Sequence, residues 1–163
     1  MRFSLLLPLV ILIIGGGSCK MNEHFARSGH QFGSASDSLF FSLERTPCFG
    51  KCAAYLVTVD KNGHVKWVGR SNTDRIGPWS AELDFVTMEK LLIRAKEIGF
   101  FGFENKYDGQ VTDLPSTIIR VNADGQDKKV FGRYKTPPAF KPFAAFADSL
   151  IAPLKWSKSP TDQ

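Results

Sequence analysis

The chain has 163 residues, 43% of them hydrophobic, with 21 Lys and Arg against 16 Asp and Glu for a net charge of +5. That length suits one domain with additions, and 14 Phe with 3 Trp supply enough apolar area for a real core. The small basic surplus favours anionic lipid or glycan surfaces and is too weak to argue for nucleic acid.

Residues 1–18 open with Arg2, continue through the apolar run "LLLPLVILII" and end in small residues. This is the pattern of a secretory signal, and its apolar segment is shorter than the roughly 20 residues that span a bilayer. Cys19 follows directly. "GGSC" resembles a bacterial lipobox, in which the cysteine carries diacylglycerol and becomes the mature N-terminus, although Gly16 stands where that pattern favours Leu. The alternative is an ordinary signal cut elsewhere, with Cys19 a stray thiol. Lipidation is preferred because an exposed thiol is a liability in an oxidising compartment. At about 0.8 kcal/mol per buried methylene, two or three acyl chains hold a protein durably on a membrane. Loss of residues 1–18 removes a single charge, Arg2, and lowers the net charge from +5 to +4.

Residues 19–37 are polar, rich in Gly and Ser and without periodicity, which predicts a flexible tether. The folded domain is expected over 38–152. "SLFFSLER" alternates as a first strand. "AAYLVTVDKNGHVKWVGRS" is a hairpin around Asn62-Gly63. A three-residue loop pairs Val59 with Val65 and Val57 with Trp67, keeps apolar residues on one face, and places Gly63 in the left-handed position. Phe85, Met88, Leu91, Leu92, Ala95 and Ile98 recur at helical spacing, with Asp84 as N-cap and Gly99 as stop. "TIIRVNA" and "DKKVFGRY" form a second hairpin around Asp124-Gly125, in an ambiguous register. The last helix carries Phe140, Phe143, Ala144, Ala147, Leu150 and Ile151 on one stripe; Pro138 suits its first turn, and Pro142 is expected to delay or bend its start. Residues 153–163 read as a frayed tail, with Trp156 able to tuck against the body. The prediction is an α+β two-layer domain: a five-stranded, mostly antiparallel sheet with two helices on one face.

Cys48 and Cys52 admit three readings. A redox pair usually sits at a helix N-terminus, whereas a strand-like segment follows Cys52. A structural zinc site needs four ligands, and of His24, His30 and His64 two lie in the expected tether. A disulfide needs only an oxidising compartment and a tight turn, which Gly50 permits. The disulfide is preferred, as a loop clamp worth about 2 kcal/mol.

"SLERTPCFGKCAAYLVTV", the Gly-marked hairpin, a helix ending in "IGFF" and "VTDLPST" before a strand together resemble the uncharacterised bacterial family called domain of unknown function 6438. The resemblance covers residues 38–152. It implies an exported or lipid-anchored protein, in agreement with Cys19, and lends no activity.

Two irregular stretches, 45–52 and 107–116, carry the best candidate binding rim: Arg45, Tyr107, Asp108, Gln110, Thr112 and Asp113. The structural reading is preferred here, with Asp113 and Thr112 shaping a turn and Arg45 balancing a carboxylate. Enzyme readings are poorly supplied. His64 is the one histidine expected in the folded part, so nucleophile–histidine schemes lack a member. Glu104, Asp108 and Asp113 offer acid–base work on an envelope glycan as the alternative. Lys61, His64, Lys66 and Arg70 on one hairpin, and Lys128, Lys129, Arg133 and Lys135 on the other, suggest a solvated face that protects strand edges. The expectation is a lipid-anchored, extracytoplasmic binding module without catalysis, cofactor or metal. Its partner would be an envelope protein or an anionic glycan or lipid surface. Lys20 after the cysteine tips its location toward the outer membrane, and the oligomeric state stays open.

Overall fold

The computed structural model describes residues 29–111 and 113–160; the expected signal segment, Cys19 and Thr112 lie outside the described residues. The elements in chain order are β1 (Leu39–Arg45), β2 (Ala54–Asp60), β3 (His64–Ser71), β4 (Gly77–Glu82), α1 (Phe85–Glu97), β5 (Lys106–Tyr107), β6 (Thr117–Ala123), β7 (Gln126–Gly132), α2 (Phe140–Ile151) and β8 (Ser157–Lys158). The strands form one eight-stranded sheet in the order β5-β7-β6-β1-β2-β3-β4-β8. Every pairing is antiparallel except β5 with β7. The α+β class is therefore as expected, with three strands more than predicted. The additional strands, β4, β5 and β8, lack a readable signal: β4 begins Gly-Pro, and the other two have two residues each.

Register decides which face is buried. Leu43 lies opposite Val57 and Ile119, Val57 opposite Trp67, and Ile119 opposite Val130, so these residues share one face. They join a single core cluster with Met88, Leu91, Leu92 and Ala95 of α1 and Phe140, Phe143, Ala144 and Ala147 of α2. On the other face, Glu44, Leu56, Val68 and Pro78 form one row, and Ser42, Thr58, Lys66 and Ser80 the next.

The β2–β3 turn has the three-residue loop, with Val59 opposite Val65. Gly63 adopts φ 90°, and Asp60 Oδ1 accepts from the amides of Asn62 and His64 at 2.8 and 3.0 Å. The β6–β7 turn, ambiguous in sequence, pairs Ala123 with Gln126 across Asp124 (φ 51°) and Gly125 (φ 74°). Two consecutive positive-φ residues make the tight turn whose twist matches the flanking strands. Asp84 caps α1 by accepting from the Thr87 amide at 2.8 Å, and Gly99 leaves the helix with φ 68°. Pro142 is the third residue of α2. There its missing N–H costs no helical hydrogen bond, so α2 begins before it.

The expected tether is shorter at its inner end. Gly33 N donates to Asn122 O, and Asp124 N to Gln31 O, both at 2.8 Å. Phe32 is buried with its ring centroid 4.7 Å from that of Phe40. Phe40 is the extra residue of a β1 bulge, since Leu39 and Phe41 face the adjacent residues Asp60 and Val59. The bulge explains why neighbouring Phe40 and Phe41 are both buried. The tail also docks: Ser159 N donates to Pro78 O at 3.1 Å, and the Trp156 ring meets Trp67 edge-on at 5.8 Å. No helix among the described residues is long and apolar enough to cross a membrane.

Candidate binding surface

Strand pairing brings the two irregular stretches together. Arg45, the last residue of β1, lies opposite Thr117, the first of β6, so the loops that follow and precede them meet at one end of the sheet. A reciprocal clasp joins them: Thr46 N donates to Ser116 O at 3.0 Å, and Ser116 N donates to Thr46 Oγ1 at 2.8 Å. Ser116 is buried.

Cys48 and Cys52 form a disulfide with their α-carbons 5.6 Å apart. Strand β2 follows it, so neither cysteine sits at the start of a helix, where redox pairs usually lie. Gly50 N points at Cys48 Sγ from 3.2 Å, and Asn72 Nδ2 donates to Cys52 O at 3.2 Å. At the tip of this ring Phe49 is 97% exposed. Leu114 and Tyr134 are also exposed at this end, and the Tyr134 ring covers Gly109, where an added Cβ would lie 2.7 Å from Tyr134 Cδ1.

Three side chains expected in the rim are engaged within the fold. Arg45 Nη2 donates to Asp148 Oδ2 at 2.6 Å and its Nε to the Tyr55 hydroxyl at 2.9 Å. The same hydroxyl donates to Asp148 Oδ1, closing a triangle between β1, β2 and α2. Burial, then the bond to Asp148, pushes the Tyr55 phenol above its ordinary range. The indole of Trp67 stacks on Tyr55 at 4.1 Å. Tyr107 accepts the Glu104 amide at 2.9 Å through its hydroxyl, and its carbonyl accepts from Arg133 N at 2.8 Å. Asp108 Oδ1 accepts from the Gly109 amide at 2.9 Å; Lys106 Nζ lies 3.1 Å from Oδ2 and Arg133 Nη1 3.6 Å from Oδ1. The Gly109 amide first, and then Lys106, hold its carboxyl below the usual range. Gln110 and Asp113 are exposed, and among the described residues Asp113 does not make the turn-shaping hydrogen bond expected of it.

Sequence reasoning missed two residues that organise this end. Asp148 anchors Arg45, and Arg133 spans the loop, donating from Nε to Ser116 Oγ at 3.0 Å while its guanidinium covers Phe131 at 5.4 Å. Glu104 is exposed, and the Asp108 carboxylate is engaged by Gly109, Lys106 and Arg133 rather than by a second acid. Among the described residues no group of three or more His, Cys, Asp or Glu is placed to hold a metal ion.

The opposite end of the sheet carries a cleft of about 410 Å³ whose walls include His30, Phe32, Lys61 and Phe85. His30, expected in the tether, is instead fixed with Nδ1 2.8 Å from Asp124 Oδ2, and Lys96 Nζ lies 2.6 Å from the same oxygen. Burial opposes ionisation of Asp124, but Lys96, the Gln31 amide and His30 outweigh it and bring the carboxyl down to about 2. His64 sits on the exposed β2–β3 turn, with its pKa raised by the hydrogen bond to Asp60. Of the basic residues, Lys66 and Lys129 share the helix-free face, Arg70 on β3 pairs with Glu44 at 2.6 Å, and Lys128 reaches Asn105 at 2.7 Å.

These features define an α+β domain on one sheet, with a disulfide-clamped loop pair at one end. Residues 39–151 match the family described as domain of unknown function (DUF6438), and the chain belongs to that family. No curated protein and no solved structure matches it.

Proposed function

We propose that the chain is an exported lipoprotein, anchored on the extracytoplasmic side of a bacterial membrane through acylated Cys19, whose domain binds a partner without catalysis. The observation that carries this reading is the Cys48–Cys52 disulfide. Such bonds persist in oxidising compartments and are rare in the cytosol. The signal pattern of residues 1–18 and the cysteine that follows point the same way, and Lys20 favours the outer membrane. Binding is supported by the clasped loop pair, where exposed apolar side chains sit among polar ones. An envelope protein fits this surface better than an anionic glycan or lipid, because exposed Asp74 and Asp113 stand at the same end as Lys51 and Lys135, so both signs must be accommodated.

The alternative, a glycan hydrolase using Glu104, Asp108 and Asp113, is the weaker reading. A general acid needs a raised pKa, and the surroundings of Asp108 lower it. Mass spectrometry of the native product tests the anchor. The expected result is a chain starting at acylated Cys19, with Cys19→Ala recovered in the soluble fraction. An unacylated amino terminus, or free thiols at both Cys48 and Cys52, overturns the proposal.

A further inference from the structure

Resting on the binding reading above, we infer that the Cys48–Cys52 ring is a presenting loop that seats Phe49 in an apolar socket of a partner protein. The ring comprises five residues, Cys48-Phe49-Gly50-Lys51-Cys52. Phe40, Phe41, Phe100, Phe140 and Phe143 are at most 1% exposed, whereas Phe49 is 97% exposed. Among the described residues the fold therefore has an aromatic core and leaves one ring wholly in solvent.

The ring also has a fixed direction. The disulfide closes it, Asn72 holds the Cys52 carbonyl, and the Thr46–Ser116 clasp holds its base. Closing so short a loop adds less to stability than closing a long one. What closure supplies is orientation, which lowers the entropy lost when a rigid group docks. An aromatic anchor surrounded by weaker contacts is the usual plan of an interface centre. Leu114 and Tyr134 at the same end provide such a surround, each between a third and a half exposed.

Two observations select a protein over the bilayer. The chain reaches the body through residues 29–38, at the start of β1, and Phe49 follows the far end of that seven-residue strand. That places Phe49 about 23 Å beyond the side from which any upstream anchor is attached. The charges at this end are mixed, with Lys51 and Lys135 beside Asp74 and Asp113, all exposed. An anionic lipid surface repels the two carboxylates, whereas the rim of a protein socket accommodates both signs.

The test places a photo-crosslinking amino acid at position 114 of the full chain in intact cells, with native Phe49 or with Phe49→Ser. Thermal unfolding checks that both fold alike, as the exposure of Phe49 requires. The expected result is one discrete adduct of a second protein that falls tenfold or more in Phe49→Ser. The same probe at Val86, exposed near the opposite end, should give no such adduct. Three outcomes overturn the inference: an adduct indifferent to Phe49→Ser, an adduct of two copies of this chain, or Phe49-dependent sedimentation with anionic phospholipid vesicles. Failure of acylation is read separately from the Cys19 peptide mass, so it leaves the crosslinking result interpretable.

Discussion

Replacing Asp148 by Ala removes the acceptor shared by Arg45 and Tyr55 and leaves a guanidinium and a phenol at the helix–sheet boundary. Hydrogen bonds to charged groups contribute about 1.5–3 kcal/mol each when shielded from water. Here the Arg45 and Asp148 side chains are 29% and 32% exposed, so water replaces part of what is lost. The expected destabilisation is roughly 2 kcal/mol for the two bonds together, after that discount. Urea unfolding followed by tryptophan fluorescence is a suitable assay, because Trp67 stacks on Tyr55 and reports the same corner. A double-mutant cycle with Arg45→Met isolates the pair and should return a coupling of about 1 kcal/mol. The result bears directly on function. A coupling near zero, with Asp148→Ala costing under about 0.5 kcal/mol, would mean that Arg45 is not held by the fold. Its guanidinium would then be free for a ligand, and the assignment of Arg45 to structure would be refuted.

Cys48→Ser with Cys52→Ser should cost about 2 kcal/mol, since five residues lie in the closed ring; equilibrium unfolding of the two forms measures it, and complete loss of folding would contradict the clamp role. Asp124→Asn should keep the turn, because Asn tolerates the positive φ at that position. It should lose roughly 1–2 kcal/mol at neutral pH, after allowance for a side chain about a quarter exposed. The folded-state pKa of Asp124 is depressed to about 2, so its contribution is present above about pH 4 and disappears as pH falls toward 2. Urea midpoints taken between pH 2 and 7 should show a flatter acid limb in Asp124→Asn, and identical limbs would sink the assignment. Gly132→Ala should destabilise by about 1–3 kcal/mol through overpacking. Its Cβ would fall 2.3 Å from Phe140 Cε1, and Phe140 is buried and has nowhere to swing; a wild-type melting temperature would show that the strand shifts freely.

Elements with one buried face were legible from their residues alone. In β2 and β3 a single register puts Val57, Val59, Val65 and Trp67 together, and the chain adopts it. In β6 the same rule does not decide, because Ile119 faces the helices while its neighbour Ile118, opposite Glu44 and Phe131, faces the other way. The β6–β7 register is set instead by the backbone of Asp124 and Gly125. The docking of residues 29–37 was hidden for a different reason: one buried ring, Phe32, and a few backbone bonds hold a segment whose composition matches that of a linker. Arg45 was correctly expected to balance a carboxylate. Its partner lies 103 positions away, on a helix flank that reads the same whether it is solvated or paired.

The same physics separates the rim residues from Phe49. An aspartate at a chain reversal has bare amides within reach, and local geometry tends to claim it before any ligand does. Asp60, Asp84, Asp108 and Asp124 each accept from a backbone N–H one to four residues away, or from the neighbouring segment. An exposed aromatic ring meets no such demand, since nothing nearby is left unsatisfied when it points outward. Within the five-residue disulfide ring Phe49 points away from the core, and the neighbouring Gly50 and Lys51 offer it no cover. The bonded polar residues of the loops therefore say how the end is built. The uncovered ring says what the end presents.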